Sequence, residues 1–209
     1  MIPLPKSPPD RPDPSDLPDS ADANGPGLSR RPGVGSLLSR WGLSWGGWLD
    51  NRRGEWWLLA QLLLIAAHLL PPWPAPGSWG TAWPLPIALG GAVLFGVGLL
   101  LALQAFLRLG ASLTPLPEPM AGAALVTSGA YGRCRHPLYQ AILLCSLGVT
   151  LALGSLLHLA LLLGLCGVLG GKARREERAL AAVHPDYAAY RARTPAIIPR
   201  CPWLDWRGL

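Results

Sequence analysis

The chain has 209 residues, enough for one domain rather than two, and it is half hydrophobic and only 14% charged. Soluble domains carry about a quarter charged residues, so an ordinary soluble globule is excluded. The net charge of +6 is not a nucleic-acid footprint either, because the basic residues are not interleaved into a groove-sized patch.

Residues 1–35 are rich in Pro, Asp, Ser and Gly, with Asp10, Asp13, Asp16, Asp19 and Asp22 at every third position. Such a segment cannot bury enough apolar area to offset its ordering entropy, which predicts a disordered tail. It has no apolar core like that of a signal peptide and offers no catalytic residue. Residues 36–209 form the remaining domain. Trp41, Trp45 and Trp48 stand at helical spacing within Leu37–Leu49, which predicts a short helix on a membrane surface.

Long apolar blocks follow. Trp56–Leu70 is interrupted only by Gln61 and His68, and Leu85–Leu107 only by Gln104. Leu138–Gly171 holds no formal charge, and Gly154-Ser155 near its middle reads as a tight turn between two helices. The pattern predicts an all-α, polytopic membrane helical bundle with about four transmembrane helices, at 55–70, 85–108, 138–153 and 155–171. The last two form a C-terminal helical hairpin, followed by a cytoplasmic segment with amphipathic helices at 172–209. All 18 Lys and Arg fall on one side of this arrangement: seven before the first span, three around the middle loop (Arg108, Arg133, Arg135) and eight after the last. The positive-inside rule makes that side, with both termini, cytoplasmic. None of the ten tryptophans lies mid-span, so all are expected in interfacial belts, Trp203 and Trp206 included. Cys134, Cys145, Cys166 and Cys201 form no CxxC pair and have no His at zinc spacing, so they read as free thiols, with no metal site.

Two segments carry chemistry. The first, 110–136, contains Pro115, Pro117 and Pro119 and leads into Arg133-Cys134-Arg135-His136-Pro137-Leu138-Tyr139. Arginine and tyrosine at a span end are common interfacial anchors. Pro137, however, sets this polar group at the first turn of a buried helix, a location suited to a polar cofactor. In the second, 172–200, Glu176, Leu180, Val183, Tyr187 and Tyr190 recur at spacings of four and three and would share one helical face. His184-Pro185-Asp186 reads as the end of one helix and the start of another. One reading is a surface helix with Glu176 and Glu177 paired to basic neighbours such as Arg174 and Arg178; the other is a ligand site shared with the first segment.

Taken together, Leu125-Val126-Thr127-x-Gly129-x-Tyr131-x-x-x-Arg135-His136-Pro137-x-Tyr139 and the later Glu176-Glu177-x-x-Leu180, Tyr187-x-x-Tyr190-x-x-x-Thr194-Pro195 and Ile198-Pro199 resemble the isoprenylcysteine carboxyl methyltransferase and phospholipid N-methyltransferase superfamily over roughly residues 85–200. Ala141 stands where that family usually has Gly, which would narrow helix packing there, and His184-Pro185 stands where Phe-Gly is usual. The resemblance implies a membrane-embedded methyltransferase using S-adenosylmethionine, with a lipid or lipid-like acceptor (a carboxylate or an amine) entering from the bilayer. It implies cofactor contacts from Leu125, Val126, Tyr131, His136, Pro137, Tyr139 and Glu176, and an acceptor-facing role for Lys172 and Arg135. These residue types suit the chemistry. Carboxylate oxygens accept from ribose hydroxyls or an ammonium, tyrosine faces attract a sulfonium, and a cation can position a carboxylate acceptor. Two alternatives remain open: a nicotinamide-dependent membrane reductase of similar fold, and a non-enzymatic membrane protein retaining the scaffold. Gly129-Ala130-Tyr131 and the Glu176-Glu177 pair lean towards the methyltransferase.

Overall fold

A computed structural model describes residues 50–51, 54–80, 82–109 and 125–207. The expected tail at 1–35, the helix at Leu37–Leu49 and most of the proline-bearing loop at 110–124 lie outside the described residues. Those described are helical, without a strand: α1 Glu55–Ala67, a 3-10 turn at Pro76–Trp79, α2 Leu85–Leu109, the short α3 Ala130–Arg133, α4 Pro137–Leu153, α5 Leu156–Val183 and α6 Tyr187–Arg193.

Local signals explain the boundaries. Pro137 occupies the first position of α4, where its missing N–H costs nothing. Gly154 ends that helix at φ 58°, in the left-handed region that glycine adopts freely, and the Trp83 ring lies over it where any side chain would collide. The Gly154-Ser155 turn expected between two helices is therefore present. The Ser155 hydroxyl accepts from the Trp73 N–H at 2.9 Å and donates to the Trp73 carbonyl at 3.1 Å, tying the α1–α2 connection to the hairpin.

Two helices, Leu85–Arg108 and Leu156–Val183, are long and apolar enough to cross a membrane; Glu55–Ala67 and Pro137–Leu153 are apolar but shorter. The helix that contains the expected fourth span at 155–171 is longer than that span. α5 runs unbroken for 28 residues, about 42 Å at 1.5 Å per residue, so the charged stretch from Lys172 continues the same helix. That length exceeds the roughly 30 Å of a hydrocarbon core.

Close backbone approach fixes α2 against α4. A Cβ added at Gly148 would lie 2.6 Å from the Phe95 amide nitrogen, and one at Gly98 would lie 3.0 Å from the Ala141 carbonyl oxygen. Small residues at such a seam let helices pack where water supplies no driving force. Ala141, expected to narrow this packing, is fully buried there because Gly98 faces it. On the other side of the hairpin, α1 meets α5 through the Trp57 ring at Gly171 and through Lys172, whose Nζ donates to Gln61 Oε1 at 2.8 Å.

Candidate functional site

The chain breaks between α5 and α6 at His184–Asp186, as its proline predicts, and the break turns the segment beyond it back across the α4 N-terminus. The Arg135 N–H donates to the Pro195 carbonyl at 2.9 Å, and the His136 N–H to the Ala196 carbonyl at 3.0 Å. Cys134 Sγ also donates to Ala196 O, at 3.0 Å, and burial pushes its thiol up to about 11. Cys134 is thus a neutral clamp at physiological pH rather than a nucleophile.

Arg135, His136, Glu177 and Trp206 meet in one buried cluster. Glu177, 3% exposed, accepts four hydrogen bonds. Its Oε1 takes Arg135 Nε at 2.8 Å and His136 Nε2 at 2.9 Å. Its Oε2 takes Arg135 Nη2 at 3.1 Å and Trp206 Nε1 at 2.7 Å. A carboxylate has about four lone-pair positions, so Glu177 has no capacity left for a ligand. Arg135 is committed as well, since its Nη1 donates to the carbonyls of Arg191 and Thr194. The expectation of Glu176 and Glu177 paired to neighbours on a surface helix therefore gives way for Glu177: its cation, Arg135, lies 42 residues away in sequence.

Glu176 differs in kind. Its side chain is 27% exposed, and its Oε2 accepts from the Tyr139 hydroxyl at 2.9 Å. The same oxygen lies 3.6 Å from His136 Nδ1, too far for a direct hydrogen bond. Because saturated Glu177 can only accept, His136 Nε2 must carry a hydrogen, which leaves Nδ1 to face Glu176. The His136 and Tyr139 rings stack at 5.2 Å with 2° between planes. Lys172 Nζ stands 5.3 Å from the centroid of the Tyr139 ring.

The remaining expected residues frame this opening. Tyr131, on α3, is half-buried; burial first, and then the nearby Glu176 charge, hold its phenol above the ordinary value. Burial does the same for Tyr187 and Tyr190, so these phenols stay neutral donors. Tyr190 donates to the Tyr131 carbonyl at 2.6 Å. The Tyr187 hydroxyl, buried within electrostatic reach of Glu177, has no hydrogen-bond partner among the described residues. Pro137 is buried beneath His136, and Leu125 and Val126 lie half-buried just before α3. The single face expected for Glu176 to Tyr190 does not run through, because Val183 is exposed while Tyr187 and Tyr190 turn inward after the helix break.

Sequence reasoning missed Gln61, the fourfold role of Glu177, and Trp206. Trp206 was expected in an interfacial belt with Trp203, yet it is 5% exposed against 79% for Trp203. The alternation of Trp203 and Leu204 with Asp205 and Trp206 carries no period that could separate the two.

Comparison with known proteins bears on this geometry. The profile of the phospholipid methyltransferase family matches residues 87–186, the stretch that contains Arg135, His136, Tyr139, Lys172, Glu176 and Glu177. The cobalt-zinc-cadmium resistance protein CzcN of Cupriavidus metallidurans is 46% identical over 81 residues, a match covering 36% of this chain and 36% of that relative. The chain thus aligns with little more than a third of that protein's length. The family match points to methyltransferase activity, and with the two long apolar helices it supports membrane association. Residues 87–186, which supply Arg135, His136 and Glu177 of the cluster, match the phospholipid methyltransferase family, within the superfamily that includes the isoprenylcysteine carboxyl methyltransferases.

Proposed function

We propose that the protein is a membrane-embedded, S-adenosylmethionine-dependent methyltransferase whose acceptor is a lipid-like molecule bearing a carboxylate or an amine. The observation that carries this reading is the pair of unequal glutamates. Glu177 is saturated, whereas Glu176 keeps accepting capacity and faces His136 Nδ1 across 3.6 Å. Two acceptors at that separation suit a cofactor that presents hydroxyl and ammonium donors, and the neutral Tyr131 and Tyr139 rings beside them suit its cationic sulfur.

S-adenosylmethionine supplies an electrophilic methyl group on a sulfonium, so the chain's task is alignment and charge complementarity. Glu176 would accept from the cofactor's polar hydrogens, with its rotamer held by the Tyr139 hydroxyl. His136 would accept at Nδ1 while Glu177 holds its other nitrogen. Lys172 lies one turn before Glu176 against the Tyr139 ring, where its charge would position a carboxylate acceptor. Arg135 is committed to Glu177 and to two carbonyls, which suits it to holding the α4 entrance in shape, with any acceptor contact secondary.

An acceptor route is supported by a cavity of about 390 Å³ between α1, α2, α4 and α5, bounded by residues that include Leu99, Ala102, Ala141, Val149 and the hydrogen-bonded pair His68–Ser146. Ala141, one of its lining residues, follows Tyr139 by two positions in the chain. Ala102→Phe adds bulk inside it without removing a contact. Transfer of label to lipid-soluble product should fall at least about tenfold while S-adenosylmethionine affinity stays unchanged; equal loss of both would remove the cavity from the acceptor's path.

The orientation follows the one-sided basic residues. Reporter fusions after Arg53, near Pro117 and at the C-terminus should read cytoplasm, and one near Ser78 the opposite side. A cytoplasmic signal at Ser78 would end the four-span arrangement. The reaction class is tested by equilibrium binding of labelled S-adenosylmethionine against NADPH to the purified protein, followed by identification of the lipid that gains the methyl group.

A further inference from the structure

The segment that follows α6 is built as a strap. The Ile197 N–H donates to the Leu204 carbonyl at 2.9 Å, and the Leu204 N–H to the Cys201 carbonyl at 2.9 Å, closing a tight loop. Asp205 accepts from the Ala196 N–H at 3.3 Å and the Arg200 N–H at 3.1 Å, and pairs with Arg207 at 2.7 Å. Ala196, Ile197, Leu204 and Trp206 join Tyr139, Leu143, Leu165 and Leu169 in one buried apolar cluster. None of these strap residues falls within the family-matched stretch 87–186.

Trp206 is the strap's contact with the charged cluster. Its indole N–H supplies one of the four hydrogen bonds to Glu177, and its ring is faced by the Arg174 guanidinium at 4.9 Å. Without that N–H, Glu177 Oε2 would keep only Arg135 Nη2, and the carboxylate could rotate away from the setting in which Oε1 holds both Arg135 Nε and His136 Nε2. The orientation of His136 towards Glu176 depends on that setting.

We propose that Trp206 is a positioning residue of the site: its N–H fixes the Glu177 carboxylate, and through it the His136 imidazole that faces Glu176. The strap at 195–207 is accordingly part of the ligand-binding machinery and no mere tail. What the site holds rests on the methyltransferase reading; the placement of His136 does not.

The test uses the full-length protein with Trp206→Phe, which keeps an aromatic ring for Arg174 and the core but loses the N–H. Three quantities are read: the Kd for labelled S-adenosylmethionine, the rate at which diethyl pyrocarbonate modifies His136 as followed by mass spectrometry, and the thermal unfolding midpoint. The Kd should rise about tenfold, as expected for loss of a hydrogen bond to a charged group. His136 should react faster, in a variant that still unfolds cooperatively, and Trp203→Phe should change neither. Should the phenylalanine variant fail to fold, Trp206→benzothienylalanine keeps the two-ring shape and lacks only the N–H. A folded variant with wild-type Kd and wild-type His136 reactivity would overturn the proposal, leaving Trp206 as filling alone. If the unmodified protein retains no labelled cofactor, the methyltransferase reading fails, and the His136 rates by themselves decide whether Trp206 positions the ring.

Discussion

Glu177→Gln is expected to destabilise the fold by about 3–5 kcal/mol, the usual consequence of removing one partner from a buried ion pair. The carboxylate sits among Arg135, His136 and Trp206, all of them donors. An amide of the same shape offers one oxygen for four hydrogens and turns its own N–H groups against the rest. The Arg135 charge, 4% exposed, would then be left buried without its anion. Thermal or denaturant unfolding of the purified variant in detergent measures the loss, and a midpoint equal to wild type would contradict the cluster as described. Spacing alone cannot say which of the two glutamates turns inward, because adjacent helical positions point about 100° apart.

Glu176→Gln and His136→Ala should act on binding instead. Glu176→Gln removes the charge and exchanges one acceptor oxygen for a donor, His136→Ala removes the ring, and the cost of a hydrogen bond to a charged group, about 1.5–3 kcal/mol, corresponds to a roughly 10- to 150-fold weaker cofactor affinity. Glu176 is half-buried with a single hydrogen bond from Tyr139, so its replacement by Gln should leave the unfolding midpoint close to wild type. His136→Ala also deletes a donor to Glu177, and some loss of stability should accompany its loss of binding. The contrast between the two glutamates, one governing the fold and the other the ligand, is the signature that separates this site from a surface helix whose charges merely face anionic lipid.

Much of the frame is legible in the chain itself. Pro137 marks the start of α4, Gly154-Ser155 the hairpin turn, and His184-Pro185 the break after α5, because each acts through backbone geometry that depends on few neighbours. The meeting of His136 with the glutamates is also readable, since a hairpin that goes in and returns brings both segments to one end. What the residues do not reveal is rotation. Which of Glu176 and Glu177 faces Arg135 depends on how α5 is turned by packing: Gln61 and Trp57 on one side, and Leu165 and Leu169 in the core. Trp206 is hidden for a related reason. Tryptophan suits both the membrane interface and a buried site with an acceptor for its N–H, and only the strap's fold, pinned by Asp205, decides between them.

Equilibrium binding of methyl-labelled S-adenosylmethionine to purified wild-type protein and to Glu176→Gln, with unfolding midpoints measured on the same samples, tests the central claim most directly. Saturable binding by the wild type, weakened roughly 10- to 150-fold in Glu176→Gln at an unchanged midpoint, is the result expected of a cofactor site between Glu176 and His136. Equal affinity in the two proteins, or no binding by a well-folded wild type, would contradict it.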